Sequence, residues 1–198
     1  MAKNRIMIIF IAAGLVLAVV LGAYFYRSNL GPSQSEIVSL LNNFIEKIAA
    51  GDLDGARKLM TEETRGTLRQ PGTILGETVY RELKLKSIES VYNEGSGGYA
   101  ADVILSVPDT LKIMSTAGIL FGEKVAEVGP ADDADQMMTE IYSEILGRDD
   151  IPMIDNFCVI RMEMRNGQLL ILGDKGLQKA LEGGITENSN LLDMISGQ

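Results

Sequence analysis

The sequence contains one stretch that limits every other choice, Ile6–Tyr26 (IMIIFIAAGLVLAVVLGAYFY), which holds no charged residue and is bracketed by Arg5 and Arg27. Wound as an α-helix at about 1.5 Å per residue, it reaches about 32 Å, enough to cross a hydrocarbon core of about 30 Å. Lys3 and Arg5 join the terminal amine before the run, whereas Arg27 alone follows it directly. The positive-inside rule therefore predicts residues 1–5 in the cytoplasm and everything after the helix outside the cytoplasmic membrane. Tyr24 and Tyr26 fall where amphipathic rings favour the headgroup level. A cleaved signal peptide is the competing reading. Its apolar run is normally about 7–15 residues, and a small residue precedes its cleavage site. This run is longer, and Leu21-Gly22-Ala23 places a bulky residue where a small one is wanted. A retained signal-anchor is expected. Gly14, Ala18 and Gly22 lie four apart on one helix face, a ladder through which two membrane helices could pack, although small residues are common in such helices in any case.

Of the 18 basic residues, Lys3, Arg5 and Arg27 fall within the first 27 residues, and none of the 27 acidic residues does. The remaining chain thus carries 15 basic and 27 acidic side chains, a net charge of −12. That balance argues against nucleic acid as a partner, since phosphate binding relies on clustered Lys and Arg. Cys158 is the only cysteine and histidine is absent. No internal disulfide can form, and the commonest general base and metal ligand is missing.

Residues 27–35 form a short polar linker to a domain expected over 36–182. Ser33 and Glu36 make a capping-box pattern. Ile37, Leu40, Leu41, Phe44, Ile45 and Ile48 then recur at helical spacing, and Gly51 closes that helix. Asp52 caps a short second helix with Ala56, Leu59 and Met60. Thr61 should open a third, which ends by Pro71-Gly72. Alternation then predicts a bulged strand over Thr78–Tyr92, a turn at Asn93–Gly98, and a strand over Tyr99–Val107 stopped by Pro108. Phe157–Met164 alternates cleanly, and Asn166-Gly167 is a strong hairpin signal leading into Gln168–Leu172. Between these hairpins, residues 109–151 are too long for a plain connection and hold two helical stripes, so a helical insertion is expected. A short helix is predicted over Lys175–Leu181, and residues 183–198 read as a loose tail in which Leu191, Leu192 and Ile195 could dock.

Helices followed by an antiparallel sheet define an α+β class. In detail, Glu36–Met60, with its long amphipathic helix, the turn Ala-Ala-Gly-Asp-Leu-Asp-Gly-Ala and a short helix ending Leu-Met, resembles the nuclear-transport-factor-2-like (cystatin-like, cone-shaped) superfamily in its bacterial, membrane-anchored extracytoplasmic form. The likeness covers Ser33–Val107 and Phe157–Leu172. It departs at the insertion, and at Leu170, where the family often has tryptophan. The resemblance implies a curved sheet with a cone-shaped interior. The superfamily includes isomerases and dehydratases, small-molecule binders and membrane-tethered assembly domains, among which fold alone does not choose.

No recognisable catalytic motif, cofactor site or metal site emerges. Asp132, Asp133 and Asp135 lack the spacing of a calcium loop and fit a helix N-terminus instead. Cys158, among Ile160 and Met162, reads as an inert core thiol. Arg161 and Glu163 share the opposite strand face, either as polar groups of a pocket or in a solvated cross-strand ion pair. Tyr99 and Asp102 fall on opposite faces of their strand, against an isomerase-like pairing. The apolar helix Ile113–Val128, with Ile113, Leu120 and Phe121, is the expected partner surface. These features together predict a single-pass, non-enzymatic binding or assembly domain that contacts another envelope protein, with a homo-oligomer possible. The alternatives are a small-ligand binder and an isomerase- or hydratase-like enzyme using Asp, Glu or Tyr.

Overall fold

The computed structural model describes residues 31–129, 133–185 and 188. The expected membrane helix 6–26, with Gly14, Ala18 and Gly22, lies outside the described residues. Among those described, no helix is long and apolar enough to cross a membrane. The chain divides into two units, Met1–Glu36 and Ile37–Gln198.

The class is α+β. Helix α1 (Gln34–Ala49) starts at the expected capping box, where Ser33 and Glu36 exchange hydrogen bonds. Its stripe of Ile37, Leu41, Phe44, Ile45 and Ile48 is fully buried. Asp52 caps α2 (Leu53–Lys58) by accepting from the Gly55 amide at 2.9 Å. The helix expected from Thr61 to Pro71 shortens to a 3₁₀ turn, Glu62–Thr67. Gly66 sits within it, and Arg57 holds its exit by donating to the Leu68 carbonyl.

Thr78–Glu82 departs from the expected strand. These residues finish helix α3 (Ile74–Glu82), which is capped by Thr73 accepting from Gly76. The β-branched Thr78 and Val79 favour a strand locally, but the cap and the burial of Leu75 and Val79 on one helical face outweigh that preference.

Four antiparallel strands follow in the sheet order β1-β2-β3-β4. They are β1 (Lys84–Gly95), β2 (Gly98–Pro108), β3 (Met153–Arg165) and β4 (Gln168–Leu172). The bulging expected in β1 is present as three register shifts against β2. Asn166 and Gly167 both take positive φ, 53° and 77°, as the tight β3–β4 turn requires. The helical insertion forms as α4 (Thr110–Val128) and α5 (Ala134–Leu146). Its two ends are pinned together where the Asp109 amide donates to the Pro152 carbonyl at 2.8 Å. One sheet face carries Ala101, Val103, Leu105, Val107, Cys158, Ile160 and Met162 into the core.

Helix α6 (Lys175–Leu181) closes the order as expected, and Asp174 caps it. The start of the expected tail is anchored rather than loose. The buried Thr110 hydroxyl donates to the Gly183 carbonyl and accepts from the Asn188 side-chain Nδ2, both at 2.6 Å. Leu191, Leu192 and Ile195 lie outside the described residues.

The outer edge of β4 is covered by the chain itself. Thr61 donates to the Ile171 carbonyl and Ile171 to the Leu59 carbonyl, each at 2.9 Å, while the Gly173 amide donates to the Thr64 hydroxyl. This approach requires a glycine at 173, because a methyl group there would lie 2.6 Å from the Met60 methyl and 2.8 Å from the Thr64 carbonyl. Gly173→Ala should therefore cost about 1–3 kcal/mol through overpacking. Thermal unfolding should show a Tm lower by roughly 5 °C, and an unchanged Tm would contradict this packing.

Candidate functional site

The sheet has two edges and a step. β1 forms one edge, blunted by its bulges and by Lys84, Lys86, Glu89 and Glu94. β4 forms the other, covered by Leu59–Thr61. The step arises because β3 has 13 residues and β4 only 5, so β4 pairs with β3 no further than Arg161. Among the described residues, no strand lies on the outer side of Met153–Ile160.

The direction of the backbone groups along this step follows from the ladder. Met164 donates to the Gly97 carbonyl on the β2 side. In an antiparallel pair successive residues turn their N–H and C=O groups to alternate sides. Even-numbered residues of β3 thus bond to β2, whereas Asp155, Phe157 and Val159 aim theirs at the open side.

A groove of about 730 Å³ runs along this open side. β3 supplies Ile154, Phe157, Cys158, Val159 and Arg161, and α6 with its cap supplies Asp174, Lys179 and Ala180. Thr110, Leu111, Gly183 and Asn188 close one end. Apolar side chains are exposed along it, with Phe157 at 64% and Ile154 at 45%.

Several ionisable groups of the groove already have partners within the chain. Asp109 accepts from the Lys112 amide as the α4 cap. Asp174 accepts from the Leu177 amide and from Arg161, the latter at 2.9 Å. Glu94 approaches Arg161 from the other side at 3.5 Å. The hydrogen bond to Asp174, reinforced by the Glu94 charge, raises the Arg161 pKa and fixes its charged form. Cys158 is buried in the groove floor; that burial, with a smaller contribution from the Asp174 charge, pushes its thiol up to about 12.

The predicted site residues divide. Arg161 does line the groove, while Glu163 is not part of its lining and pairs with Arg165. Arg161 pairs with Asp174 and, across the sheet, with Glu94 of β1, whereas Glu163 pairs with Arg165. The partner surface expected on α4 is corrected at Ile113, which is fully buried. Leu120 and Phe121 are half-buried against the core, while Leu111 and Ile119 of that helix are exposed. Tyr99 and Asp102 fall on opposite faces as expected, with Asp102 accepting from Ser90 at 2.6 Å and from Tyr92 at 3.3 Å. Asp133 caps α5 by accepting from the Gln136 amide; Asp132 lies outside the described residues. Among the described residues no cluster suited to a metal ion occurs.

The groove as a whole was not anticipated. Two signals for it are present in the sequence: Gln168–Leu172 is shorter than the Phe157–Met164 stretch it returns along, and apolar Phe157 and Val159 share the face that carries Arg161 and Glu163. No family model, curated protein or solved structure matches the chain.

Because Cys158 is held as the thiol, it should resist a thiolate-specific reagent at pH 8. The unfolded chain should label faster by roughly a hundredfold or more. Labelling of the native protein should rise only as pH climbs toward 12. Equal rates for native and unfolded protein would contradict this burial.

Proposed function

We propose that this chain is a single-pass membrane protein whose α+β domain, held outside the cytoplasmic membrane by Ile6–Tyr26, works by binding another envelope protein and not by catalysis. The observation that carries the reading is the contrast inside the groove. Arg161, Asp109 and Asp174 spend their charges on partners within the chain, and Cys158 stays protonated. Phe157, Ile154 and Leu111 meanwhile hold apolar surface toward solvent. Acid–base chemistry needs a titratable group poised near the working pH and free to move a proton. Recognition needs exposed apolar anchors beside a few fixed polar groups, and the groove fits that description better.

The helices-then-antiparallel-sheet order supports membership of the nuclear-transport-factor-2-like superfamily, within which membrane-tethered assembly domains agree best with these features. The short linker 27–35 would keep the domain close to the bilayer. A second reading, a small apolar ligand, draws on the groove volume of about 730 Å³.

A photo-crosslinker placed at Phe157 in native membranes separates these readings. The binding-domain reading predicts one dominant adduct with another membrane or envelope protein. Finding only self-adducts, or none, would overturn it. Determining the mature N-terminus tests the tether: a start at or beyond Tyr24 would remove it.

A further inference from the structure

We propose that the open side of β3, from Met153 to Ile160, takes up an extended peptide of a partner protein as an added strand, continuing the line on which β4 stops. This rests on the binding role above and specifies its partner chemistry. The first support is the asymmetry of the sheet. A bare strand edge invites pairing with any extended chain, and proteins blunt such edges with bulges, charges or covering segments. β1 has its bulges and charges, and β4 has Leu59–Thr61 across it. Between Met153 and Ile160, among the described residues, neither device is present apart from Asp155, which pairs with Lys86.

The second support is the demand of the backbone. Phe157 and Val159 each present an N–H and a C=O to the groove, and among the described residues none of the hydrogen bonds outside the ladders engages them. A small apolar ligand would leave these four groups without protein partners. An extended peptide satisfies them in register, as in strand addition to sheet edges elsewhere.

The third support concerns side chains. Along an added strand the side chains alternate between the two sheet faces. Those on the outer face would lie beside Phe157 and Val159. Those on the inner face would lie beside the buried Cys158 and Ala180, which offer an apolar group a matching surface. The peptide is therefore extended, apolar at alternate positions, and free of proline where it faces β3. A second copy of this chain fits less well. Edge-to-edge pairing would drive the β3 of each protomer into a groove walled by the α6 of the other, whereas a single strand enters alone.

The test uses the full chain in detergent and random linear peptides displayed on phage. Enriched peptides should share alternating apolar residues and bind weakly or not at all to Val159→Pro, which lacks the outward N–H. Phe157→Lys, at an exposed position that leaves the fold intact, should lower affinity by about tenfold. The deciding readout is N-methylation of each peptide amide in turn. Methyl groups should abolish binding at alternate positions and be tolerated between them. Uniform tolerance, or no enrichment at all, would overturn strand addition. So would a chain that pairs with itself through a crosslinker at Phe157. If peptides fail while that crosslinker still captures an envelope protein, only strand addition falls; loss of both removes the binding role as well.

Discussion

The β2–β3 ladder is the interaction on which the remainder of this domain depends. Eleven consecutive partners, from Gly98↔Glu163 to Pro108↔Met153, join two segments separated by the whole α4–α5 insertion. The register fixes which residues face inward. It seats Cys158 against Val103 and Ile160 against Ala101, completing the core face. A slip of one residue would exchange that face for Phe157, Val159 and Arg161. The same register turns the backbone groups of Phe157 and Val159 away from β2. The groove is thus a direct consequence of the ladder together with the early end of β4.

Much of this architecture is legible in the sequence where the signal is local. Caps at Ser33 and Asp52, the stripe from Ile37 to Ile48 and the Asn166-Gly167 turn each act over a few residues, and each forms as expected. Local signals fail where tertiary packing overrides them. Thr78-Val79-Tyr80 has the composition of a strand yet finishes a helix, because Thr73 caps it and Leu75, Val79 and Tyr80 are buried. Ile113 illustrates the same limit. Its apolar stripe is visible in the sequence, but only the folded insertion shows that the stripe faces the core and leaves Ile119 outside.

The groove was hidden for a different reason. Its walls come from β3, from α6 and from the start of α4, segments far apart in sequence that meet only after the ladder forms. Arg161 is legible in the sequence as a polar group of its strand, but its partners, Asp174 and Glu94, come from segments distant in sequence. This arrangement removes free charge from the groove and leaves backbone and apolar groups as its chemistry. Exposed ion pairs of this sort add little stability, commonly under about 1 kcal/mol. Their main effect here is on what the groove can recognise.

Amide hydrogen exchange of the native protein, resolved by residue, tests the central claim most directly. The account predicts strong protection of Cys158, Ile160 and Met162, whose amides bond to β2, and of Ile171, which donates to Leu59. Phe157 and Val159, in the same strand, should exchange faster than these neighbours by roughly a hundredfold or more, since their amides face the open groove. Equal protection of odd and even residues from Asp155 to Ile160 would show that the edge is already paired, and the account would fail.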